Sequence, residues 1–418
     1  MTGKEKFELA INGKEGPILF DIGGFPTSGI HCIQVEKLRE YYGLEKKPVT
    51  VHEPGQMLGY VDQDLKDAMG IQTTPLWGAY TTFAFKNENF KEYKTPWEQT
   101  VLVGEKFVTT EDEEGSIYLY AEGDLNYSPT AKMAKSGFYF DNQVRTKDFD
   151  EDTYNVEDNL EEFKPIGQDS LDYLAKQVEK IKDTGDFVAG NFGGASIGDI
   201  YLVPGPSLKD PKGIRDLEEW YVSTVIRQDK LHQIFTYQID MAIQNLGKIY
   251  EVVGETVQAI YLCGTDFGTQ QGPFISNELF RDLYAPYYKK INNWIHENTG
   301  WKSLKHCCGS IRPLIPEFID VGFDILNPIQ WSAENMNRKD LKSEFGDKIL
   351  FWGGGVDTQK TLPYGTSQEV YDEVKESCEI FSKNGGFVFN TIHNIQPLIP
   401  IENIVSMVNA VRDFNEGR

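Results

Sequence analysis

A histidine and two cysteines stand side by side at residues 306–308, at the end of a β-strand that is predicted over residues 303–306. Because side chains alternate between the two faces of a strand, His306 and Cys308 are expected on one face and Cys307 on the other. Lys305 is likewise expected to point away from His306. Zinc favours soft thiolate and imidazole ligands, so this spacing predicts that His306 and Cys308 form half of a zinc site.

Two further groups with suitable chemistry follow other predicted strands. His393 follows a later strand and is the expected third metal ligand, whereas Asp266 is expected to act as a catalytic carboxylate or a fourth ligand. A catalytic zinc holds three protein ligands and leaves one position for substrate or water. Two alternatives remain open: Cys308 could be a buried core residue, or the same groups could catalyse a reaction without metal.

Glycine or proline accompanies a polar side chain at the end of each of seven predicted strands. In parallel α/β folds, ligands bind beyond the carboxyl ends of the strands, so these segments are expected to form the rim of an active site. Asn327 and Gln330 are expected to be catalytic together with Asp266 and His306. Glycine lets the backbone approach a ligand closely. The residues expected to contact a cofactor are Asn191, Gly353, Gly354 and Asp357.

Three of the four remaining histidines and two of the three remaining cysteines are interpreted as structural. Cys263 and Cys378 lie within a predicted strand and a predicted helix, where apolar packing accounts for them. Cys32 receives no assignment. The histidines without chemically suitable neighbours are His52, His232 and His296.

The elements that would position these groups alternate in a regular way after residue 165. Strand followed by helix predicts a parallel sheet with right-handed crossovers, and strands without hydrophobic alternation indicate burial on both faces. The predicted fold is therefore α/β, a (β/α)8 TIM barrel, with a doubly wound open sheet as the alternative. The predicted strands are residues 186–191, 259–264, 303–306, 323–327, 349–353 and 386–390, with another near 17–21.

The predicted domain organisation is a single barrel domain over residues 1–418. Residues 1–165 are rich in aromatic residues and turns, and they are interpreted as a strand-rich N-terminal extension. An inserted hairpin is predicted between residues 107–110 and residues 116–124.

Acidic residues outnumber basic ones by 64 to 41, which gives the 418-residue chain a net charge of −23. Such a chain repels phosphate backbones and anionic lipids, so neither nucleic acid nor membrane is an expected partner. No stretch approaches the roughly 18–20 apolar residues of a membrane helix, and no secretory signal is evident. The five cysteines are too sparse for a disulfide framework, and a cytoplasmic protein is expected.

Three segments of the second half carry a family resemblance. They read HCCGSIRPLIP at residues 306–316, GFDILNPIQ at residues 322–330 and FWGGGVDTQ at residues 351–359. In combination they resemble the uroporphyrinogen decarboxylase superfamily, and within it the branch of corrinoid-dependent methyltransferases. The likeness is good over roughly residues 255–418 and weaker before them.

The resemblance implies a barrel with a pocket at its top and a zinc ion held by a His-x-Cys pair and a later cysteine. It also implies transfer of a methyl group between a small methylated substrate, or a thiol acceptor, and a cobalamin-type corrinoid carried by a partner protein. His306 and Cys308 match the His-x-Cys pair. This chain has no cysteine near the third position, and His393 is the expected substitute. Related barrels are often dimers, so a homodimer is expected.

Two other functions remain as alternatives. Uroporphyrinogen decarboxylases carry an arginine-rich N-terminal loop for substrate carboxylates, but the matching residues 20–31 contain no arginine. Decarboxylation therefore ranks second, in the form of a metal-free decarboxylase or lyase acting on a small substrate, with Asp266 and His306 as acid and base. A non-catalytic ligand-binding protein built on the same barrel is the third alternative.

Overall fold

The computed structural model of the protein describes residues 1–418, which form sixteen strands and thirteen α-helices. The strands are β1 (Leu19–Phe20), β2 (Val49–Glu53), β3 (Leu58–Gly59), β4 (Thr73–Trp77), β5 (Lys91–Lys94), β6 (Thr100–Val103), β7 (Thr109–Glu111), β8 (Ile117–Leu119), β9 (Ala131–Met133), β10 (Asp141–Asn142), β11 (Phe187–Asn191), β12 (Ala259–Cys263), β13 (Lys302–His306), β14 (Ile325–Asn327), β15 (Leu350–Trp352) and β16 (Phe387–Phe389). The helices are α1 (Gly3–Ile11), α2 (Cys32–Tyr41), α3 (Gln63–Met69), α4 (Gln168–Ile181), α5 (Leu217–Ile226), α6 (Gln228–Val253), α7 (Asn277–Leu283), α8 (Ala285–Asn298), α9 (Ile315–Asp320), α10 (Arg338–Phe345), α11 (Thr361–Tyr364), α12 (Ser367–Phe381) and α13 (Ile401–Asn415). None of these helices is both long enough and apolar enough to cross a membrane.

Eight parallel strands form the central sheet, in the order β1–β16–β15–β14–β13–β12–β11–β4. The two edge strands are brought together where the backbone N–H of Gln72 donates to the carbonyl of Phe20 at 3.4 Å. The sheet is therefore a nearly closed (β/α)8 barrel. From β4 to β16, each barrel strand pairs with the barrel strand that follows it along the chain, and the first barrel strand, β1, pairs with the last, β16. The predicted TIM barrel is confirmed, and the open doubly wound sheet is wrong.

All seven predicted barrel strands are present, and β4 is the strand that the sequence did not reveal. Its residues read TTPLW, and a proline inside a short run argues against a central strand because it cannot donate to the ladder. Here Pro75 stands opposite Ala189 of β11 in a five-residue parallel register. Residues 1–165 thus contribute two of the eight barrel strands, β1 and β4, besides the inserted strands.

Two small sheets are formed by the chain between β1 and β11. One has the order β3–β2–β6–β5 and the other the order β10–β9–β8–β7. The predicted hairpin is confirmed as β7 and β8, which pair in antiparallel register with Thr109 opposite Leu119. Side chains from both sheets face the carboxyl end of the barrel.

Periodicity over residues 217–254 predicts a long helical segment that is broken around Gly247 and Gly254, and the structure has two helices there, α5 and α6. The break lies at Arg227, whose backbone leaves the helical region, and not at Gly247, as the sequence suggested. Gly247 lies within α6, where its lack of a side chain leaves room for the Trp294 ring of α8. Gly254 does end α6, as predicted, with a positive φ of 47°.

The lower part of the barrel interior is apolar and is closed by α1. Phe7 of α1 is 1% exposed, and its ring centroid lies 4.6 Å from that of Phe187 at the start of β11. Inward-facing side chains of successive strands complete this cluster: Leu19, Ala189, Ala259, Leu304, Ile325, Leu350 and Val388. Their burial from water on all sides supplies the hydrophobic stabilisation of the barrel centre.

A polar layer lies above the apolar one because side chains two residues apart share a face of a strand. The residues two positions after the inward apolar ones are Asp21, Asn191, Tyr261, His306, Asn327, Trp352 and Asn390. Several of them are joined by hydrogen bonds: Trp352 donates to Asp21 at 2.9 Å, and the Asn327 side chain donates to the Trp352 carbonyl at 2.9 Å. Along each strand, the lining of the barrel interior therefore changes from apolar to polar over two residues.

Candidate active site and metal centre

His306, Cys308 and His393 converge at the carboxyl end of the barrel. The metal-binding atoms of these three side chains all lie within 4.8 Å of one another. The His306 Nε2 atom is 3.4 Å from the Cys308 Sγ atom, and the two imidazole centroids are 5.8 Å apart. Ligand atoms bound to one tetrahedral zinc at about 2.0–2.3 Å are separated by comparable distances, so this donor set fits the ion.

Hydrogen bonds fix the orientation of the His306 ring. Its Nδ1 atom lies 2.7 Å from Oδ1 of Asn327, whose amide group donates to the Trp352 carbonyl on the next strand. Since that donation turns the amide oxygen toward the imidazole, the proton of His306 lies on Nδ1. The lone pair on Nε2 therefore points toward Cys308 and His393, as a metal ligand requires.

The two neighbouring thiols have different environments, as strand alternation predicts. Cys307 is fully buried and accepts a hydrogen bond from the Phe267 backbone N–H at 3.2 Å, whereas Cys308 is half-buried. Burial raises the pKa of Cys307 to about 12 and also raises the pKa of Cys308. A cation bound beside Cys308 would instead favour its thiolate form.

Burial has the opposite effect on the two imidazoles. It lowers the pKa of His393 to about 4, and it lowers the pKa of His306 below its ordinary value of 6.5. Both rings are therefore neutral at neutral pH, which is the form that binds metals.

Asp266 lies beside His306, Cys308 and His393, which together are called the metal-ligand cluster below. Its Oδ1 atom accepts a hydrogen bond from the Cys308 backbone N–H at 2.6 Å and lies 3.8 Å from Nε2 of His306. Its side chain is 31% exposed, and its second oxygen accepts no hydrogen bond from the protein. The carboxylate therefore holds the Cys308 segment with one oxygen and presents the other to the cavity above.

Asn327 and Gln330, expected to be catalytic, support the site from behind instead of lining the cavity. Asn327 holds His306, and Gln330 accepts a hydrogen bond from the Gly309 backbone N–H at 2.7 Å. Gln330 also donates to Gln270 at 3.2 Å. Both side chains are buried, so their contribution is to position the segment that carries His306 and Cys308.

Of the four residues expected to contact a cofactor, Asn191 alone lines the cavity. Gly353 and Gly354 have φ values of 88° and 90°, and an added Cβ would lie 2.9 Å and 2.6 Å from backbone oxygens of neighbouring strand exits. Asp357 accepts a hydrogen bond from the Gln359 backbone N–H at 2.8 Å. These three residues shape the exit of β15, and the structure does not bring them to the cavity.

A cavity of about 700 Å³ lies between the barrel rim and the inserted sheets. This volume falls within the range of small-molecule sites. From the barrel side it is lined by Asn191, Asp199, Tyr201, Tyr261, Asp266 and His306. From the inserted segments it is lined by His52, Glu53, Trp77, Asn87 and Asn142.

Several of these lining residues were missed at the level of sequence. Asp199 follows β11 by eight residues, and it is the first carboxylate after the glycine-rich exit of that strand, a signal that could have identified it. His52, interpreted as structural, lies on β2 with its ring centroid 4.7 Å from Trp77. Glu53 follows it on the same strand. No rule about barrel rims points to β2, because that strand belongs to an inserted sheet.

Burial perturbs the carboxylates of the cavity. It raises the pKa of Asp199 to about 6 and raises the pKa of Glu53 above its ordinary value of 4.5. Hydrogen bonds from backbone N–H groups, from Tyr201 to Asp199 and from Gly55 and Gln56 to Glu53, oppose these shifts. Both groups are thus held at a cost in solvation energy, which these hydrogen bonds and, for Asp199, the charge of Lys305 offset only in part.

Comparisons with known proteins identify a family model that matches this chain and a solved structure with a similar fold. The model of the family described as uroporphyrinogen decarboxylase (URO-D) matches residues 117–414. The uroporphyrinogen decarboxylase of Pseudoalteromonas translucida (strain TAC 125) is 32% identical over 80 residues, which are 19% of this chain and 22% of that protein. The chain thus matches about a fifth of the length of this curated relative.

Among solved structures, a methyltransferase from Methanosarcina mazei has a TM-score of 0.55 to this chain, with 15% sequence identity. The likeness covers 99% of this chain and 99% of that one. At such low identity it is a likeness of fold.

Proposed function

The chain belongs to the uroporphyrinogen decarboxylase family, and within this enzyme family we propose that it is a methyltransferase. It would move a methyl group between a small methylated substrate or thiol acceptor and a corrinoid carried by a partner protein, with the help of zinc. The observation that carries the proposal is the convergence of His306, Cys308 and His393 within 4.8 Å at the carboxyl end of the barrel.

These three residues would hold the zinc ion. When bound, zinc acts as a Lewis acid that lowers the pKa of a thiol or hydroxyl, or polarises the oxygen of a methyl ether. The protein's own groups supply orientation: Asn327 fixes the His306 ring, and the Asp266 carboxylate anchors the Cys308 backbone. The free oxygen of Asp266 is available to take a proton from an acceptor or to return one to a leaving group.

Methyl transfer is favoured over decarboxylation by the charge of the cavity. Neither lysine nor arginine lines it, whereas Glu53, Asp199 and Asp266 do. A substrate rich in carboxylates would meet like charge, without the cationic groups that usually bind such substrates.

The direct test measures zinc content and methyl transfer in matched cysteine variants. Cys308→Ala is expected to lose the metal and to abolish methyl exchange with methylcobalamin, while its circular dichroism spectrum stays that of the parent. Cys307→Ala is the control, since its thiol faces the core and should leave the zinc content unchanged. Zinc content is read by elemental mass spectrometry, and methyl exchange by the absorbance of the corrinoid.

His306→Ala and His393→Ala are expected to resemble Cys308→Ala in both measurements. The proposal fails if the purified protein contains no zinc and added zinc restores neither methyl exchange nor substrate binding. It also fails if the Cys307 and Cys308 variants retain equal amounts of metal.

A further inference from the structure

The cavity beside the metal-ligand cluster carries negative charge without a facing cation. Glu53, Asp199 and Asp266 line its interior, and neither lysine nor arginine does. The nearest buried cation, Lys305, extends from the opposite face of β13 and donates to the carbonyls of Thr265 and His306. Its ammonium group is therefore used inside the protein wall and does not face the cavity.

The carboxylates keep unused acceptor capacity. Asp199 receives one hydrogen bond, from the Tyr201 backbone N–H at 3.0 Å, and its second oxygen receives none. The second oxygen of Asp266 is also free. A partly buried carboxylate without a partner costs free energy, so these groups are suited to a ligand that supplies positive charge.

Three amide side chains add partial negative charge to the wall of the cavity. Asn87, Asn142 and Asn191 line the cavity, and each donates its amide group to a backbone carbonyl, so each amide oxygen is fixed as an acceptor. None of these three oxygens has a donor in the protein, although each is buried. Asn191 itself is only 8% exposed. The carbonyls that accept from them belong to His52, Tyr201 and Gly24.

Aromatic faces complete the lining. Trp77, Phe192 and Tyr261 line the cavity together with the carboxylates. The indole of Trp77 offers the most favourable ring for a cation, and such contacts gain strength where water is excluded. Alkyl groups on a cation would contact these rings while its charge faced the carboxylates.

Building on the proposed methyl transfer, we infer that the substrate of this cavity is a small alkylated ammonium ion. Its charge is held by Asp199, Glu53 and Asp266, and its alkyl groups lie on Trp77. The position of Asp266, 3.8 Å from His306 Nε2, places one end of such a substrate beside the metal ligands.

Equilibrium binding to the purified full chain tests this inference without requiring turnover. The cation probes are trimethylammonium and choline, measured by titration calorimetry near neutral pH. The uncharged probe is the isostere of choline in which carbon replaces nitrogen, and the anionic probe is pivalate. Choline is expected to bind at least about tenfold more tightly than its uncharged isostere, and pivalate is expected not to bind.

Matched variants locate the effect. Asp199→Asn and Glu53→Gln are each expected to weaken choline binding by about tenfold and to leave binding of the uncharged isostere unchanged. Asp183→Asn is the control, because this exposed carboxylate precedes β11 at the opposite end of the barrel. It removes the same charge and should not alter the affinity for choline.

The inference is overturned if neither cation binds at tens of millimolar, if the uncharged isostere or pivalate binds as tightly as choline, or if Asp183→Asn weakens binding as much as Asp199→Asn. Zinc content and methyl exchange are measured separately, so the two ideas can fail separately. Loss of cation selectivity with zinc and methyl exchange intact rejects only this inference, whereas cation selectivity without zinc rejects only the proposed function.

Discussion

Hydrogen bonds between three strands of the barrel determine which ring nitrogen of His306 carries the proton. It lies on Nδ1 because the amide of Asn327 is turned by the carbonyl of Trp352, so β13, β14 and β15 together determine which ring nitrogen faces Cys308. Thr27 adds a further donor to the same Asn327 oxygen at 2.8 Å. Groups of this kind, which orient a ligand from behind, tune metal affinity without touching the metal.

Asn327→Leu is therefore expected to weaken zinc binding by about 10- to 100-fold, because the ring loses the acceptor that fixes its tautomer. Competition with a chromophoric chelator gives the affinity. Asn292→Leu is the control: this fully buried amide donates to the Val321 carbonyl at 2.8 Å, far from the cluster. Equal zinc affinity in the two variants would contradict the orienting role of Asn327.

The stability of the protein should depend on pH through Asp199. Burial raises the pKa of this carboxyl from 3.8 to about 6, so its stabilising contribution is complete below about pH 3.8 and is lost as the pH rises through 6. Asp199→Asn should accordingly raise the free energy of unfolding at neutral pH by about 1–3 kcal/mol. The gain should shrink toward zero near pH 4.

Urea unfolding at several pH values measures this difference, and Asp183→Asn serves again as the exposed control. A variant that loses stability at neutral pH would show that Asp199 has a cationic partner within the protein. A gain in stability together with a loss of cation binding would indicate that the carboxylate is kept at a cost for binding.

At the scale of elements, the exits of the strands are packed against each other. Gly354 has a φ of 90°, and a Cβ there would lie 2.6 Å from the carbonyl oxygen of Ile329, on the exit of β14. Trp331 donates to the Gly354 carbonyl at 2.7 Å, which fixes the two exits relative to each other. The glycines after β15 therefore allow strand exits to approach closely.

Gly354→Ala is expected to lower the free energy of unfolding by about 2 kcal/mol or more, through both backbone strain and the close contact. Gly272→Ala, at a position where nothing lies within 4 Å of the added Cβ, should change it by less than about 0.5 kcal/mol. Chemical denaturation compares the two variants. Similar stabilities would mean that the exit of β15 can move without cost.

The sequence alone predicts those strands and helices whose residues follow one simple pattern, such as an apolar run or an alternation of side chains. The short apolar run of β12 is predicted correctly, and the alternation of side chains along β13 separates His306 from Lys305. β4 was missed because Pro75 lies inside it. The supporting role of Asn327 could not be read from its own strand, since it depends on which strands are neighbours in the closed barrel.

Across the whole molecule, negative charge is in large excess. A net charge of −23 implies mutual repulsion in the folded chain, which salt screens over distances of about 10 Å at 0.1 M. The melting temperature should therefore rise by a few degrees between low ionic strength and about 0.5 M sodium chloride. Differential scanning calorimetry measures the rise.

Sodium sulfate at equal ionic strength separates screening from general salt exclusion. Screening depends mainly on ionic strength, whereas the exclusion of sulfate from the protein surface stabilises any fold. If the melting temperature were insensitive to sodium chloride and rose only with sulfate, the surface charge would not be a source of instability.

Sequence patterns predict only half of the cavity wall, for a topological reason. Its barrel half follows from the carboxyl ends of the strands, and Asp266 and His306 were identified in this way. Its other half comes from β2, from the end of β4 and from β10, which meet only after the inserted sheets have folded over the rim.

The division of the cavity wall has an evolutionary consequence. The metal-ligand cluster is encoded between residues 306 and 393, whereas His52, Glu53 and Asn142 come from the segment that ends at residue 142. Recombination between related genes within that segment would exchange the part of the cavity wall that comes from the inserted sheets and leave His306, Cys308 and His393 untouched. Related proteins could thus come to accept new substrates when their inserted sheets are exchanged and their metal-ligand cluster stays the same.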